Sequence, residues 1–421
     1  MYPNPQDAVP LPPRPDLEQY RKRAKELLKA ASAGDEAVRA WATAWVDTLL
    51  SLNPDLPDFA RRDAGRRAHQ VTDFTRERLG RKRTLSQAQF VLARAHGFAS
   101  WPKLVHHIEA ITAADPRRSA YERAADAIVG GDLATLERLL GAYPHLVRER
   151  SARDHDSTLL HYTSANGVES YRQKTPPNIV AIARALLDAG ADVNAEAAVY
   201  GRGATTLALA VTSSHPREAG LQIPLADLLL ERGARVDPDV VRYALVNGCP
   251  EAAAHMAARG APLDLEDAAG IGAVDVVATY FEPPRAVAEA EAGTALVMAA
   301  WYDQRRAIAI MLDRGVSPGA RRPGDGNTAL HVACYSGYAE LVELLISRGA
   351  PLDVLDHVYR TEPFVWALHA WLVESRPNAD RYKAILRMLA DAGARVPRER
   401  IEHERIRSDA GLYAMLAQRA G

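Results

Sequence analysis

Cysteine is nearly absent: Cys249 and Cys334 are the two in 421 residues. Two are too few for a disulfide framework, and neither sits in the paired Cys/His spacing that a structural zinc site needs. A reducing, cytoplasmic compartment is the natural expectation. Long apolar runs are missing too, since nowhere do about 18 uncharged apolar residues follow one another, so no membrane span is expected. The start, MYPNPQDAVPLPPRPD, has no basic segment followed by an apolar one, which argues against a secretory leader. Net charge is also lacking: 52 Lys+Arg face 53 Asp+Glu. A balanced chain is not a general polyanion binder or membrane-surface protein, and any electrostatic function must be local. There is no H-E-x-x-H, no P-loop, no G-x-G-x-x-G after a strand and no G-x-S-x-G elbow. The usual sequence handles for metal, phosphate or acyl chemistry are therefore absent, and an enzyme is disfavoured. No cofactor and no metal site is expected.

What is present is apolar residue, 48% of the chain, over a length well beyond one ordinary domain of roughly 100–200 residues. Six prolines at positions 3, 5, 10, 12, 13 and 15 predict a disordered, extended leader over residues 1–15. Helical periodicity follows at Leu17–Ala30, Glu36–Leu50, Leu85–His96 and Ser100–Ile111, which makes residues 16–113 an N-terminal helical domain. Gly97 ends one of these helices and Ser100 can cap the next.

Further along, the chain repeats itself. The clearest window reads Asp325-Gly326-Asn327-Thr328-Ala329-Leu330-His331-Val332-Ala333, then Gly337, then Leu341-Val342-Glu343-Leu344-Leu345-Ile346 and Arg348-Gly349-Ala350. Leu330, Val332 and Ala333 can face a neighbour along one short helix, while Leu341, Leu344 and Leu345 recur at helical spacing along a second. Helix starts of the same kind occur at Thr158, Thr205, Thr294 and, more weakly, Glu362; the steps 294–328 and 328–362 are both 34 residues. Helix ends recur at Gly190, Gly233, Gly260, Gly315, Gly349 and Gly393, with unequal gaps of 43, 27, 55, 34 and 44. The short gap suggests a shortened repeat near 238–263, and the long one a degenerate repeat around Leu265–Phe281.

This pattern of turn, T-x-L-H-x-A helix, second helix and terminal Gly-Ala resembles the ankyrin repeat. With Tyr121–Leu140 as an opening segment, the resemblance covers residues 117–397. It implies an all-α, ankyrin-repeat α-solenoid of about eight irregular repeats, preceded by the small helical domain and closed by capping helices over 398–421. In that setting His161 and His331 occupy the T-x-L-H position, where the resemblance implies hydrogen bonding within and between turns. The segment LSQAQFVLARAHGFASWPKLVHHIEA resembles a helical leader of bacterial proteins that carry ankyrin arrays.

Three insertions interrupt the repeats, and loops carried on a rigid scaffold are where binding residues concentrate. The first, Asn166–Asn178, offers Tyr171, Arg172 and Lys174; the second, Thr212–Gln222, offers His215, Arg217 and Gln222. Stacked side by side they would form one cationic surface for a carboxylate or phosphate, or simply pack on each other. His215 is the residue that could act as a general acid or base if the surface were catalytic. The third insertion, Trp371–Tyr382, lies several repeats away. Trp301 follows a short helix and is a possible anchor on the concave face, although core packing also explains it.

Arg61–Arg83 carries nine basic residues against Asp63, Asp73 and Glu77. Such a patch can bind phosphate backbones. It precedes a helix-turn-helix-like corner, but Pro102 lies early in the second helix and Lys103 falls at an apolar position, so a solvated basic face is the better reading. The functional expectation is an adaptor holding a protein or peptide partner on the concave surface and insertion loops, since a stacked array makes an extended surface. The alternatives are an enzyme or receptor for an anionic small ligand at the insertion loops, and nucleic-acid binding through the basic stretch.

Overall fold

The computed structural model describes residues 3–53, 63–112, 119–283 and 286–420. The chain divides into two compact bodies, Met1–Asp237 and Pro238–Gly421. Eight consecutive helix pairs run through them, the all-α, ankyrin-type class read from the repeats.

Among its described residues the first body opens with the helices Leu17–Ala33, Asp35–Ser51, Ala64–Arg81, Leu85–Ala95 and Trp101–Thr112. Asp16 caps the first by accepting from the Glu18 amide at 2.9 Å. Their apolar stripes close one core containing Leu27, Trp45, Val71, Leu92, Phe98 and Leu104. Three repeats follow: Ala120–Gly130 with Leu133–Ala142, Leu159–Ser164 with Ile179–Asp188, and Thr206–Val211 with Gln222–Glu231. The second body holds the other five: Val240–Val246 with Pro250–Ala258, Leu265–Ile271 with Val274–Thr279, Glu289–Trp301 with Arg305–Asp313, Ala329–Ser336 with Ala339–Ser347, and Pro363–Leu368 with Ala379–Asp391. Three short helices, Arg398–Ile401, Glu404–Arg407 and Ala410–Arg419, finish it, and Ile401, Ile406, Leu412 and Leu416 join its core.

Local chemistry sets the repeat ends. Thr328 and His331 form a capping box: the His331 amide donates to Thr328 Oγ1, and His331 Nδ1 accepts from the Thr328 amide at 3.2 Å. The ring's other nitrogen then donates to the Thr361 carbonyl, 3.2 Å away, at the start of the next repeat. Thr158 and His161 do the same in the second repeat, where His161 Nε2 reaches the Ala204 carbonyl at 3.3 Å. The six terminal glycines all have φ between 75° and 95°, the left-handed conformation that a side chain would strain.

Three features depart from the sequence expectation. The leader is not disordered over its described residues. Pro5–Asp7 make a helical turn, and Asp7 is buried against Arg66 and Gln70. The Val9 amide donates to the Ala95 carbonyl at 2.8 Å, and the Val9 carbonyl accepts from His96 Nδ1 at 2.8 Å. Proline removes donors elsewhere in this stretch, but Val9 keeps its own and Ala8 and Val9 have a core to enter. Residues 16–113 share one compact body with the first three repeats, where Arg94 pairs with Asp154, Arg67 Nη2 donates to Ser170 Oγ at 2.8 Å, and the Asp154 amide donates to the Gly97 carbonyl at 2.8 Å. Within the charged stretch, Ala64–Arg81 is a helix whose apolar face enters the core through Val71, Phe74 and Leu79. Finally, a hairpin, Glu196–Val199 paired antiparallel with Arg202–Thr205, precedes the third repeat. Its turn is Tyr200-Gly201, both at positive φ.

Candidate functional site

The insertion of the second repeat does not present a free cationic face. Arg172 is 5% exposed. Its Nη1 lies 2.7 Å from Glu122 Oε2 and its Nη2 2.8 Å from Asp126 Oδ1. Arg153 is equally buried, with Nη1 3.1 Å from Glu122 Oε1, Nε 2.8 Å from Glu169 Oε1, and Nη2 donating to the Tyr171 hydroxyl at 3.0 Å. Two arginines thus face the buried Glu169 and the mostly covered Glu122, with Asp126 at the rim. Burial raises the Glu122 carboxyl, but Arg153 and Arg172 more than offset this and hold it at about 2. Glu169 is held well below its ordinary range in the same way by Arg153, His155 and Arg172. The cause of the misreading is the helix Ala120–Gly130, which carries Glu122 and Asp126 four residues apart and so on one face. That face neutralises the arginine an incoming anion would need.

The other expected residues also take structural or peripheral positions. Gln222 is buried, and its Nε2 donates to the carbonyls of Ala210 at 3.0 Å and Ser213 at 3.1 Å. Both bonds close the connection between the two helices, so Gln222 ties that loop together rather than facing a ligand. His215 and Arg217 lie on an extra helix, Ser214–Glu218, where Arg217 Nη2 is 3.8 Å from Glu218 and burial lowers His215. The two insertions do meet at their starts: Asn166 Nδ2 donates to Thr212 Oγ1 at 3.1 Å, and Ser213 Oγ to the Ala165 carbonyl at 3.3 Å. Beyond that point Tyr171 and Arg172 turn to Arg153, Glu122 and Asp126, so the expected single surface is not formed. With Lys174 they line a cavity of about 700 Å³ that Pro10, Pro12 and Pro13 border.

Four arginines of the basic stretch are likewise engaged or buried. Arg66 pairs with Asp7 and Asp63, Arg76 with Asp35 and Asp73, Arg67 is buried, and Arg78 lies 5.1 Å over Phe74. Arg61 and Arg62 lie outside the described residues.

Trp301 has the company expected of an anchor. It meets Tyr335 edge to face with ring centres 5.9 Å apart, Tyr335 meets Trp366 at 5.7 Å, and Tyr359 meets Trp366 at 6.4 Å, with interplanar angles of 80°, 73° and 72°. All four rings line one cavity of about 500 Å³, with Thr361, Val365, His369, Glu374 and Arg400. Trp366 is fixed twice: its ring packs edge to face on the capping His331, and its Nε1 donates to Asp356 Oδ2 at 3.3 Å. Asp356 in turn accepts the amides of Val358 at 2.8 Å and Thr361 at 3.0 Å, so one carboxylate orders the loop 356–361 and aims the indole. Burial raises that carboxyl, but these bonds prevail and hold it at about 2. Glu374 accepts from the Tyr335 hydroxyl at 2.8 Å and from Arg376 Nε at 2.9 Å, and the Arg376 guanidinium lies 3.9 Å over the Tyr335 ring.

Sequence reasoning found Trp301 and missed its partners. A signal existed, since Trp301, Tyr335 and His369 fall 34 residues apart and so share one position in successive repeats. Val358, Tyr359 and Val373, exposed at 62%, 72% and 69%, flank the cavity or adjoin its lining residues in sequence. Such clustering of exposed apolar side chains marks interaction surfaces.

The ankyrin repeat family profile matches residues 325–357, the seventh repeat with the turn beyond it. No curated protein matches the chain in sequence. Among solved structures, the ankyrin repeat domain of human ASB11 is similar, with 22% identity over 62% of this chain and 96% of that one, at a TM-score of 0.35. No residue of this chain is placed by that likeness.

Proposed function

We propose that this chain is a protein-binding adaptor of the bacterial cytoplasm, whose sixth to eighth repeats seat a side chain of the partner between Trp301, Tyr335, Tyr359 and Trp366. The observation that carries this reading is the row of four aromatic rings open on a cavity of about 500 Å³, each held by neighbours in the same body. Trp and Tyr in rigid pockets are the residue types that dominate binding energy, because they offer large area at small entropic cost. Ankyrin repeats are in general protein-interaction modules, and the absence of enzyme motifs agrees with that use. The cytoplasmic part of the reading rests on Cys249 and Cys334, both buried and neither in a disulfide, and on the helices, none of which is long and apolar enough to cross a membrane among the described residues. The bacterial part rests on the HGFASWPKL resemblance.

The test is affinity capture from the host with the native chain and with the Trp301→Ala/Trp366→Ala double variant, after circular dichroism has shown that both fold. A partner retained by the native chain should fall at least roughly tenfold on the variant. Equal retention would remove the aromatic row from the binding surface.

A second reading keeps a small anion in the cavity of about 700 Å³ beside Tyr171, Arg172 and Lys174, to which Arg123 also contributes. It ranks below the first because Glu122 and Asp126 already occupy Arg172. Citrate or phosphate raising the unfolding midpoint of the native chain, but not of Lys174→Ala, would revive it.

A further inference from the structure

The charge left over around the aromatic cavity identifies the kind of segment it holds. Two groups of opposite sign reach its lining, Glu374 and Arg400. Glu374 is engaged within the body: both carboxylate oxygens accept from the Tyr335 hydroxyl, Arg376 Nε adds a third bond at 2.9 Å, and His369 Nε2 stands 3.5 Å away. Arg400 is exposed and forms no ion pair among the described residues. The same holds for Arg360, which follows the lining residue Tyr359 directly. The acid of this surface is therefore satisfied and its cations are not.

Four rings around a cavity can also recognise a cation, through the negative potential of their faces. Two observations weigh against that here. One Tyr335 face already carries the Arg376 guanidinium at 3.9 Å, and a cation entering the cavity would meet Arg400 in its wall. The apolar rings and the exposed Val358 and Tyr359 remain to be covered, and the unpaired arginines remain to be neutralised.

We propose that the occupant is an acidic segment of a partner protein that inserts one aromatic side chain between Trp301, Tyr335, Tyr359 and Trp366 and sets its carboxylates against Arg360 and Arg400. This rests on the reading that the sixth to eighth repeats are the docking surface. The ring supplies edge-to-face contact with walls that already meet at 72–80°, and the flanking carboxylates supply orientation and faster encounter.

The full-length chain is titrated, by fluorescence anisotropy at low salt, into three labelled five-residue peptides: a central Phe flanked by Glu, a central Ala flanked by Glu, and a central Phe flanked by Lys. The Glu–Phe peptide should bind at least about tenfold tighter than the Ala peptide and roughly tenfold tighter than the Lys peptide. The second preference should fade as salt rises. Arg360→Glu/Arg400→Glu, two exposed positions whose change leaves the core untouched, should lose the preference for Glu over Lys while keeping that for Phe over Ala. If the Lys peptide binds as well as or better than the Glu peptide, with both lost in Trp301→Ala/Trp366→Ala, the acidic class is overturned and the docking surface stands. Binding that ignores the central Phe and survives the tryptophan substitutions, or no binding of the Glu–Phe peptide up to about 1 mM, overturns the proposal, the former taking the docking surface with it.

Discussion

The body Met1–Asp237 and the body Pro238–Gly421 use side chains of high interaction energy in opposite ways. In the first, Arg153, Arg172 and Glu169 are buried and, with the mostly covered Glu122, face one another, so their charges are spent inside the protein. In the second, Trp301, Tyr335 and Trp366 are held by capping residues and hydrogen bonds yet remain only partly buried, so their faces are left for something else. A charged insertion is therefore not a binding loop by default. Its fate depends on what the neighbouring repeat presents, and here the first repeat presents two carboxylates.

Acid should separate the two bodies most strongly. His96, His107 and His161 are each lowered to about 4, chiefly by burial, and all lie in the first body. A histidine that is neutral when folded but protonates near 6.5 when unfolded contributes fully above pH 6.5, and the contribution is lost as pH falls towards 4. The limit is about 3 kcal/mol for each ring. In the second body burial also lowers His331, but there Asp267, buried against Arg242 and raised to about 6, works in the other direction, because its penalty is relieved as pH falls below 6. Hydrogen exchange at pH 7 and pH 5 should show protection falling further over residues 17–188 than over 240–391. A uniform loss would break the contrast.

The next effect is Arg172→Ala, which leaves Glu122 and Glu169 short of a partner. Urea unfolding should show the first body weakened by about 3–5 kcal/mol, the penalty of an uncompensated buried charge. A loss below about 1 kcal/mol would mean that solvent reaches this network after all.

The smallest effects test the second insertion. Gln222→Ala should cost about 1–3 kcal/mol through loss of the two buried bonds from its amide to the carbonyls of Ala210 and Ser213. Arg217→Ala should stay within about 0.5 kcal/mol, as its partner Glu218 is exposed. If the order were reversed, the loop would be held by its charge and not by its backbone.

Much of the architecture was legible in short-range chemistry. The Thr328 and His331 pair, the glycines at 190 to 393 and the apolar spacing in each helix are local signals, and each has its local consequence in a cap, a left-handed turn or a buried face. The leader was misread because six prolines describe backbone freedom, whereas its order comes from Ala95 and His96, far along the chain. Arg172 and Gln222 were misread for the same reason: polarity in a loop is visible in sequence, but its partners are not. Tyr359 and Trp366 were missed because they reach the cavity from outside the repeat position that Trp301, Tyr335 and His369 share.

By itself, the sequence determined the repeat type, the number of helix pairs, the shortened and degenerate repeats and the ends of each second helix, since all of these follow from contacts a few residues apart. Tertiary structure alone decided which polar groups are spent and which remain open. A charge or an aromatic ring has the same identity whether it is paired or free, and only its distance to residues tens of positions away settles the matter.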